Sequence, residues 1–246
     1  MDYIREMDLK VSTKLPREEA MAEMLGVSRI TVRKAFADLA AEGKIFRIQG
    51  KGTFVNEQSM NIKVTFNPAM EFTQMIRESG FVPSMKLLRM REAKDRGDVR
   101  KILKLSKEET IVQADKAFFA DGNLCVMCSD FFDISMVGGR EAFENFSSCE
   151  SSLFPYLYEN FGERLEWDKV EIDTIISTEI AAFAEFLKEM EVGVRPYLYL
   201  REVNYGVGKK PLIYVEEYID TSVIKYNMIR QKNIRYNEKK DLGFAK

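Results

Sequence analysis

The chain has 246 residues, enough for one large domain or two modest ones, and its 46% hydrophobic and 31% charged content is that of a folding globular protein. Thirty-seven Lys and Arg against 39 Asp and Glu leave a net charge of −2, so no global basic field draws the chain to nucleic acid or an anionic membrane. Histidine is absent, which removes Ser-His-Asp and Cys-His nucleophiles, His-ligated zinc and histidine acid–base chemistry together.

Residues 17–25 place Ala20, Met21, Met24 and Leu25 at helical spacing, and Gly26 ends that helix. Ser28 is an N-cap for a second helix through about Glu42, with Val32, Ala35, Phe36 and Leu39 as its apolar stripe and Gly43 as its stop. The intervening turn of about three residues is that of a helix-turn-helix. Lys44 to Asn56 then holds two short strands, IFRI and TFVN, around the turn Gln49-Gly50-Lys51-Gly52, which completes the order of a winged helix-turn-helix. Polar residues 57–61 are expected to be a linker, with a domain boundary near residue 60.

Beyond it, helices are expected at 68–79, 96–104, 139–146, 152–161 and 179–191. Strands are expected at 84–92, 110–120, from the Asp121-Gly122-Asn123 turn through Phe132, and at 166–176, 196–206 and 211–219. Hairpins interleaved with helices mean an α+β domain with a mainly antiparallel sheet. Cys125 and Cys128 have CxxC spacing, but with a third cysteine, Cys149, and no histidine they make an incomplete metal site, so buried thiols are the better reading and no metal or cofactor is expected. Sparse, odd cysteines, no signal peptide and no apolar run of membrane-spanning length give the expectation of a cytoplasmic protein without a membrane partner.

Arg29 and Arg33 stand i and i+4 on one face of the second helix, opposite its apolar stripe. An arginine fork can donate two bonds to guanine O6 and N7, while Ser28, Thr31 and the helix N-terminus can hold phosphate. Two arginines alone would be a solvated helix face; after a helix and turn, and before a glycine hairpin bearing Lys44, Arg47 and Lys51, DNA binding is the stronger reading. Residues 1–60 carry ten basic against nine acidic groups, so the reading depends on where the charges sit. Gly50-Lys51-Gly52 lacks the GxxxxGK[ST] and GxGxxG patterns and is no nucleotide loop.

The segments LP-x-E-x-x-x-A-E-M-LGVSR-x-TVRKA at 15–35 and EGKIFRIQGKGTFV at 42–55 resemble the DNA-binding domain of GntR-family transcriptional regulators. The resemblance implies base and phosphate contacts at Ser28, Arg29, Thr31 and Arg33, with wing contacts at Gly50, Lys51, Gly52 and Thr53. The family's usual LPSER is here Leu15-Pro16-Arg17-Glu18-Glu19: Arg17 replaces the serine cap and is expected to take over a phosphate contact, while Glu19 replaces a DNA-contacting arginine. The family's first helix is shortened here to about Asp2–Met7.

The remaining chain is similar to the UTRA effector-binding domain of the HutC-type branch, which has a chorismate-lyase-like fold. Phe72-x-x-Met75-x-x-Glu78-Ser79-Gly80, Phe119-Ala120-Asp121-Gly122, Ser152-Leu153-Phe154-x-x-Leu157 with Phe161-Gly162, and Val215-Glu216-Glu217-Tyr218 carry the likeness. The expected division is 1–58 for DNA binding, 62–236 for effector binding and dimerisation, and 237–246 as a polar tail. The resemblance implies an effector pocket of Lys116, Phe118, Cys128, Ser151, Ser152, Phe154 and Tyr218. Sugar-phosphate-binding members carry two arginines where this chain has Lys116 and Phe118, and a glutamate where it has Cys128, which points to a less charged ligand with an apolar or aromatic part. The implied protein is a homodimeric, ligand-responsive regulator, in most members a repressor, of a palindromic operator. A small-molecule enzyme with a lyase-like domain and a constitutive DNA-binding protein are the alternatives. Glu163, Glu166 and Asp168 are read as strand-edge solvation, which leaves no catalytic residue.

Overall fold

The computed structural model describes residues 1–60, 64–67, 69–93, 96–141, 143, 158, 162 and 164–229, without the side chains of residues 58 and 60. The chain forms two compact units, one of Met1–Ala69 joined by the chain from Asn227, the other of Met70–Tyr226.

In the first unit, α1 (Asp2–Glu6), α2 (Glu18–Leu25) and α3 (Arg29–Ala41) precede a hairpin of β1 (Ile45–Ile48) and β2 (Gly52–Val55). Helix α2 stops where Gly26 turns to φ 64°, its N–H donating to the carbonyls of Ala22 and Glu23. Ser28 then caps α3, its hydroxyl oxygen accepting from the Thr31 N–H at 3.1 Å. Val32 and Phe36 of α3 bury against Met21, Ala22, Leu15, Ile45 and Val55. Although α1 has only five residues, its Ile4 joins that core and Tyr3 packs against it, so it is anchored by tertiary contacts.

Gly50 makes the wing turn at φ 73°, a backbone state that side chains rarely adopt. The β2 edge is covered: the Leu15 N–H donates to the Thr53 carbonyl at 2.9 Å and the Val55 N–H to the Thr13 carbonyl at 2.7 Å. Residues expected to open a linker instead form a helical turn, α4 (Glu57–Met60), because the Asn56 carbonyl accepts from both the amide and the hydroxyl of Ser59. Thr65 and Asn227 pair in a parallel bridge, and Ile229 lies where a Cβ on Gly43 would stand, so chain from both sides of the second unit's sequence belongs to the first.

In the second unit, β3 (Pro83–Glu92), β4 (Ile111–Ala120), β5 (Asn123–Asp133), β6 (Leu165–Ile176), β7 (Pro196–Gly206) and β8 (Pro211–Ile219) form an antiparallel sheet in the order β3-β4-β5-β8-β7-β6. With its flanking helices this is the α+β architecture the hairpin pattern led us to expect. Helix α5 (Phe72–Glu78) covers one face, where Phe72 meets Phe118 at 5.1 Å between ring centroids. Helix α6 (Gly97–Ile102) packs Val99 near Phe131 and Tyr214, and α7 (Ala184–Glu189) packs Leu187 near Met127 and Tyr218, both on the opposite face. The single helix expected over 179–191 is broken into 3-10 turns at Ser177–Glu179 and Ala181–Phe183 followed by α7. There the Ala182 carbonyl accepts from the Arg89 guanidinium at 2.8 Å, a tertiary donor that competes with a regular helical bond. The helices expected at 139–146 and 152–161 lie largely outside the described residues.

Candidate functional site

Two surfaces carry the chemistry, one on each unit. On the first, α3 presents Arg29 and Arg33 on its exposed N-terminal face, beside the wing. Their guanidinium groups are not free. Glu18, at the start of α2 with only 17% of its side chain exposed, accepts from Arg33 Nε at 3.1 Å and from Arg47 Nη2 at 2.9 Å. The Arg33 hydrogen bond, reinforced by Arg47, holds the Glu18 carboxyl below its ordinary range despite its desolvation. One carboxylate therefore ties α2 to α3 and to the wing, and fixes the positions of two cations.

Glu19 pairs with Arg29 at 2.9 Å, both more than half exposed. Ser28 is committed to the cap, and its Oγ lies 2.8 Å from Thr31 Oγ1, so the two hydroxyls share one hydrogen bond. Arg17 is the N-cap residue of α2 but makes no side-chain cap bond. Gly50, Lys51 and Gly52 are exposed at the wing tip, while Thr53 is half-buried and its carbonyl is spent on Leu15. Sequence reasoning had Glu18 only as a motif letter; its contacts to Arg33 and Arg47 emerge from folding alone.

On the second unit, residues paired across antiparallel strands point to the same face and successive residues to opposite faces. The register Lys116–Cys128–Glu217–Leu200 thus lies on one face and Ala117–Met127–Tyr218–Tyr199 on the other. Of the expected effector residues, Lys116, Phe118 and Cys128 come together beside α5. Tyr218 does not join them: it stacks on Tyr199 at 5.0 Å and meets Phe183 edge-on, because the pleat turns it through the sheet. Ser151, Ser152 and Phe154 lie outside the described residues.

Lys116 is buried and its Nζ sits 2.5 Å from Asp130 Oδ2. Burial opposes its charge, yet the closely paired Asp130 carboxylate holds the ammonium above its ordinary range. Its charge is matched inside the protein and is not held out for an anion. Burial pushes the Cys128 thiol well up, keeping it protonated. Cys125, an odd number of residues away on the same strand, donates from Sγ to the Phe118 carbonyl.

Three further acids line the Lys116 face. Glu217 is only 8% exposed and accepts no hydrogen bond or ion pair from the described residues; burial, then Glu202 and Asp130, pushes its carboxyl well up. Burial followed by the charge of Asp168 pushes Glu202 to about 7. Asp168, expected to be edge solvation, is half-buried opposite Asn204, and desolvation raises it too. On the opposite face Asp115 and Glu216 are satisfied. Asp115 accepts from Gln113 at 2.9 Å and from Ser129 and Arg89, and Glu216 accepts from Arg96 at 2.7 Å. No sequence spacing distinguishes Glu216 from Glu217; only the register assigns one to a partner and leaves the other without.

Residues 2–55 match the family model described as bacterial regulatory proteins, gntR family. Over 85 residues the chain is 34% identical to the HTH-type transcriptional repressor NagR of Bacillus subtilis (strain 168), covering 35% of this chain and 34% of NagR. It is 26% identical over 212 residues to the probable fructoselysine utilization operon transcriptional repressor of Escherichia coli (strain K12), covering 86% of this chain and 83% of that protein. Among solved structures, that of the possible transcriptional regulator YydK from Bacillus subtilis aligns with a TM-score of 0.66 at 17% identity over 90% of each chain, which establishes a shared fold. These relatives are transcriptional regulators, not enzymes.

Proposed function

We propose that this chain, whose residues 2–55 match the gntR-family model, is a repressor that binds a palindromic operator as a homodimer under the control of a small metabolite. The observation that carries the reading is the Ser28-capped α3 with Arg29 and Arg33 at its exposed end beside the wing, Arg33 held in place by Glu18 of α2. In this reading Arg33 and Arg29 meet base edges, Ser28, Thr31 and Arg17 meet phosphate, and Lys51 enters a groove from the Gly50-to-Thr53 wing tip. Two copies place their α3 helices in successive major grooves about 34 Å apart.

The effector reading is supported by the buried, chemically unbalanced row on the Lys116 face, lined also by Phe118 and Cys128. Ligand binding there acts on DNA only through a differential affinity for two arrangements of the protein. The relative named for fructoselysine utilization makes a sugar-derived metabolite the natural class to screen first. The test is fluorescence anisotropy of the full chain with DNA from upstream of its own gene and with a scrambled duplex, over a salt series. Tight selective binding, weakened by a metabolite, is the expected result; equal weak affinity for both duplexes overturns the reading.

A further inference from the structure

The two faces of the second unit's sheet treat their acids differently. Asp115 and Glu216 have arginine partners on one face. On the other, Asp130 has Lys116, and Glu217, Glu202 and Asp168 have no cation among the described residues. Glu217 is more than nine-tenths buried, and the Asn204 amide, also more than nine-tenths buried, lies near enough to Glu202 to favour its carboxylate but has no acceptor at hydrogen-bond distance from its Nδ2. A buried carboxyl without donors forfeits hydrogen bonds it would make in water, and a surplus of acids in one apolar enclosure repels. Among the described residues no three acidic or thiol groups converge closely enough to hold a metal ion. An organic ammonium, with several N–H donors at wider spacing, fits this row.

We propose that the Lys116 face binds an organic ligand through a protonated amine, which lodges between Glu217 of β8 and Glu202 of β7, while Asn204 donates from Nδ2 to a polar atom of the same ligand. The inference rests on the effector reading above and gives that site a ligand class. Lys116 with Asp130 forms the neutral wall nearer α5, and Phe118 and Phe72 supply an apolar one. The groups facing Glu217 are Lys116 on β4, Cys128 and Asp130 on β5, Glu202 on β7, Asp168 on β6, and Tyr226 after β8. Of these, Lys116 is the one cation among the described residues, and it is already paired. Burial and the neighbouring acids disfavour the Glu217 carboxylate, whereas an arriving ammonium favours it, so binding is linked to proton release.

The experiment is calorimetric titration of the full chain, without DNA, using 1,5-diaminopentane and L-lysine, their N-acetylated counterparts, and glucose 6-phosphate. The expected result is binding of at least one free amine, at least about tenfold weaker binding once that amine is acetylated, and proton release seen as a heat that depends on buffer ionisation. Glu217→Gln should weaken the amine by a similar factor; Glu202→Gln, at a half-exposed position, gives the same readout if the first variant folds poorly. Binding of glucose 6-phosphate in preference to every amine, amine affinity unchanged in both variants, or no amine binding at millimolar concentration each overturns the proposal. Operator binding measured on the same preparation separates the two claims. Selective DNA binding with no amine binding sinks the ligand class and leaves the regulator. Amine binding without DNA affinity does the reverse.

Discussion

The two units use ionic groups in opposite ways. In the first, Glu18, Glu19, Arg29, Arg33 and Arg47 pair at the surface, where water screens them and partners exchange at little cost. In the second, Lys116, Asp130 and Glu217 sit inside and Glu202 is half-buried beside them, so each charge must be matched or suppressed. A surface arranged like the first can hand its arginines to phosphate and bases without rebuilding a core. In the reading proposed above, a molecule that completes the charge balance of the second interior is what couples a ligand to the protein's conformation.

The contrast breaks most visibly at Lys116. Replacing Lys116 with Met leaves Asp130 buried and unmatched, and we expect a loss of about 3–5 kcal/mol in urea unfolding, mostly restored when Asp130→Leu is added. No restoration in the double variant would mean that the pair is not energetically coupled. On the other unit, Arg33→Ala should lower operator affinity by about 1–3 kcal/mol with little change in stability, and an equal loss on scrambled DNA would make Arg33 a phosphate contact instead of a base reader.

The acids of the second unit predict a pH dependence. Glu202, with an ordinary value of 4.5 and a folded value near 7, binds more protons folded than unfolded between those limits. The contribution of Glu202 should therefore fall as pH rises from about 4.5 to 7 and level off above. Urea midpoints at the two ends of that window give the slope, and Glu202→Gln should flatten it; an unchanged slope would assign the effect elsewhere.

Smaller effects test the first unit. Ser28→Ala removes the cap of α3 and should lower its unfolding free energy by about 1 kcal/mol, read by thermal melting. Glu19→Ala breaks an exposed pair and should shift stability by less than about 1 kcal/mol, yet it frees Arg29 and should strengthen binding to any duplex, with a steeper salt slope. Weaker DNA binding in that variant would show that Glu19 positions Arg29 rather than restraining it.

The motif helices and wing were legible because their signals are local. Gly26 supplies a left-handed stop, Ser28 a cap, Gly50 a tight turn, and the Val32 and Phe36 spacing a buried stripe, all within a few residues of where they act. The same locality made Asp121-Gly122 readable as the β4–β5 turn, where both residues take positive φ. The helix over 179–191 misled because its apolar spacing is helical while the competing donor, Arg89, comes from a strand about ninety residues earlier. Tyr218 misled for a related reason: in a strand, one residue of register separates the two faces of the sheet.

By itself, the sequence determined the winged helix-turn-helix, the alternation of hairpins and helices in an antiparallel α+β domain, and the exclusion of histidine chemistry, because caps, turns, periodicity and composition are properties of short windows. Only the tertiary structure decided that Glu18 holds Arg33 and Arg47 together, that Glu216 is paired while its neighbour Glu217 is not, and that Asp168 turns inward. The physical reason is that a carboxylate's charge state and partners are set by desolvation and by groups brought from distant strands, and neither quantity exists until the sheet has closed around it.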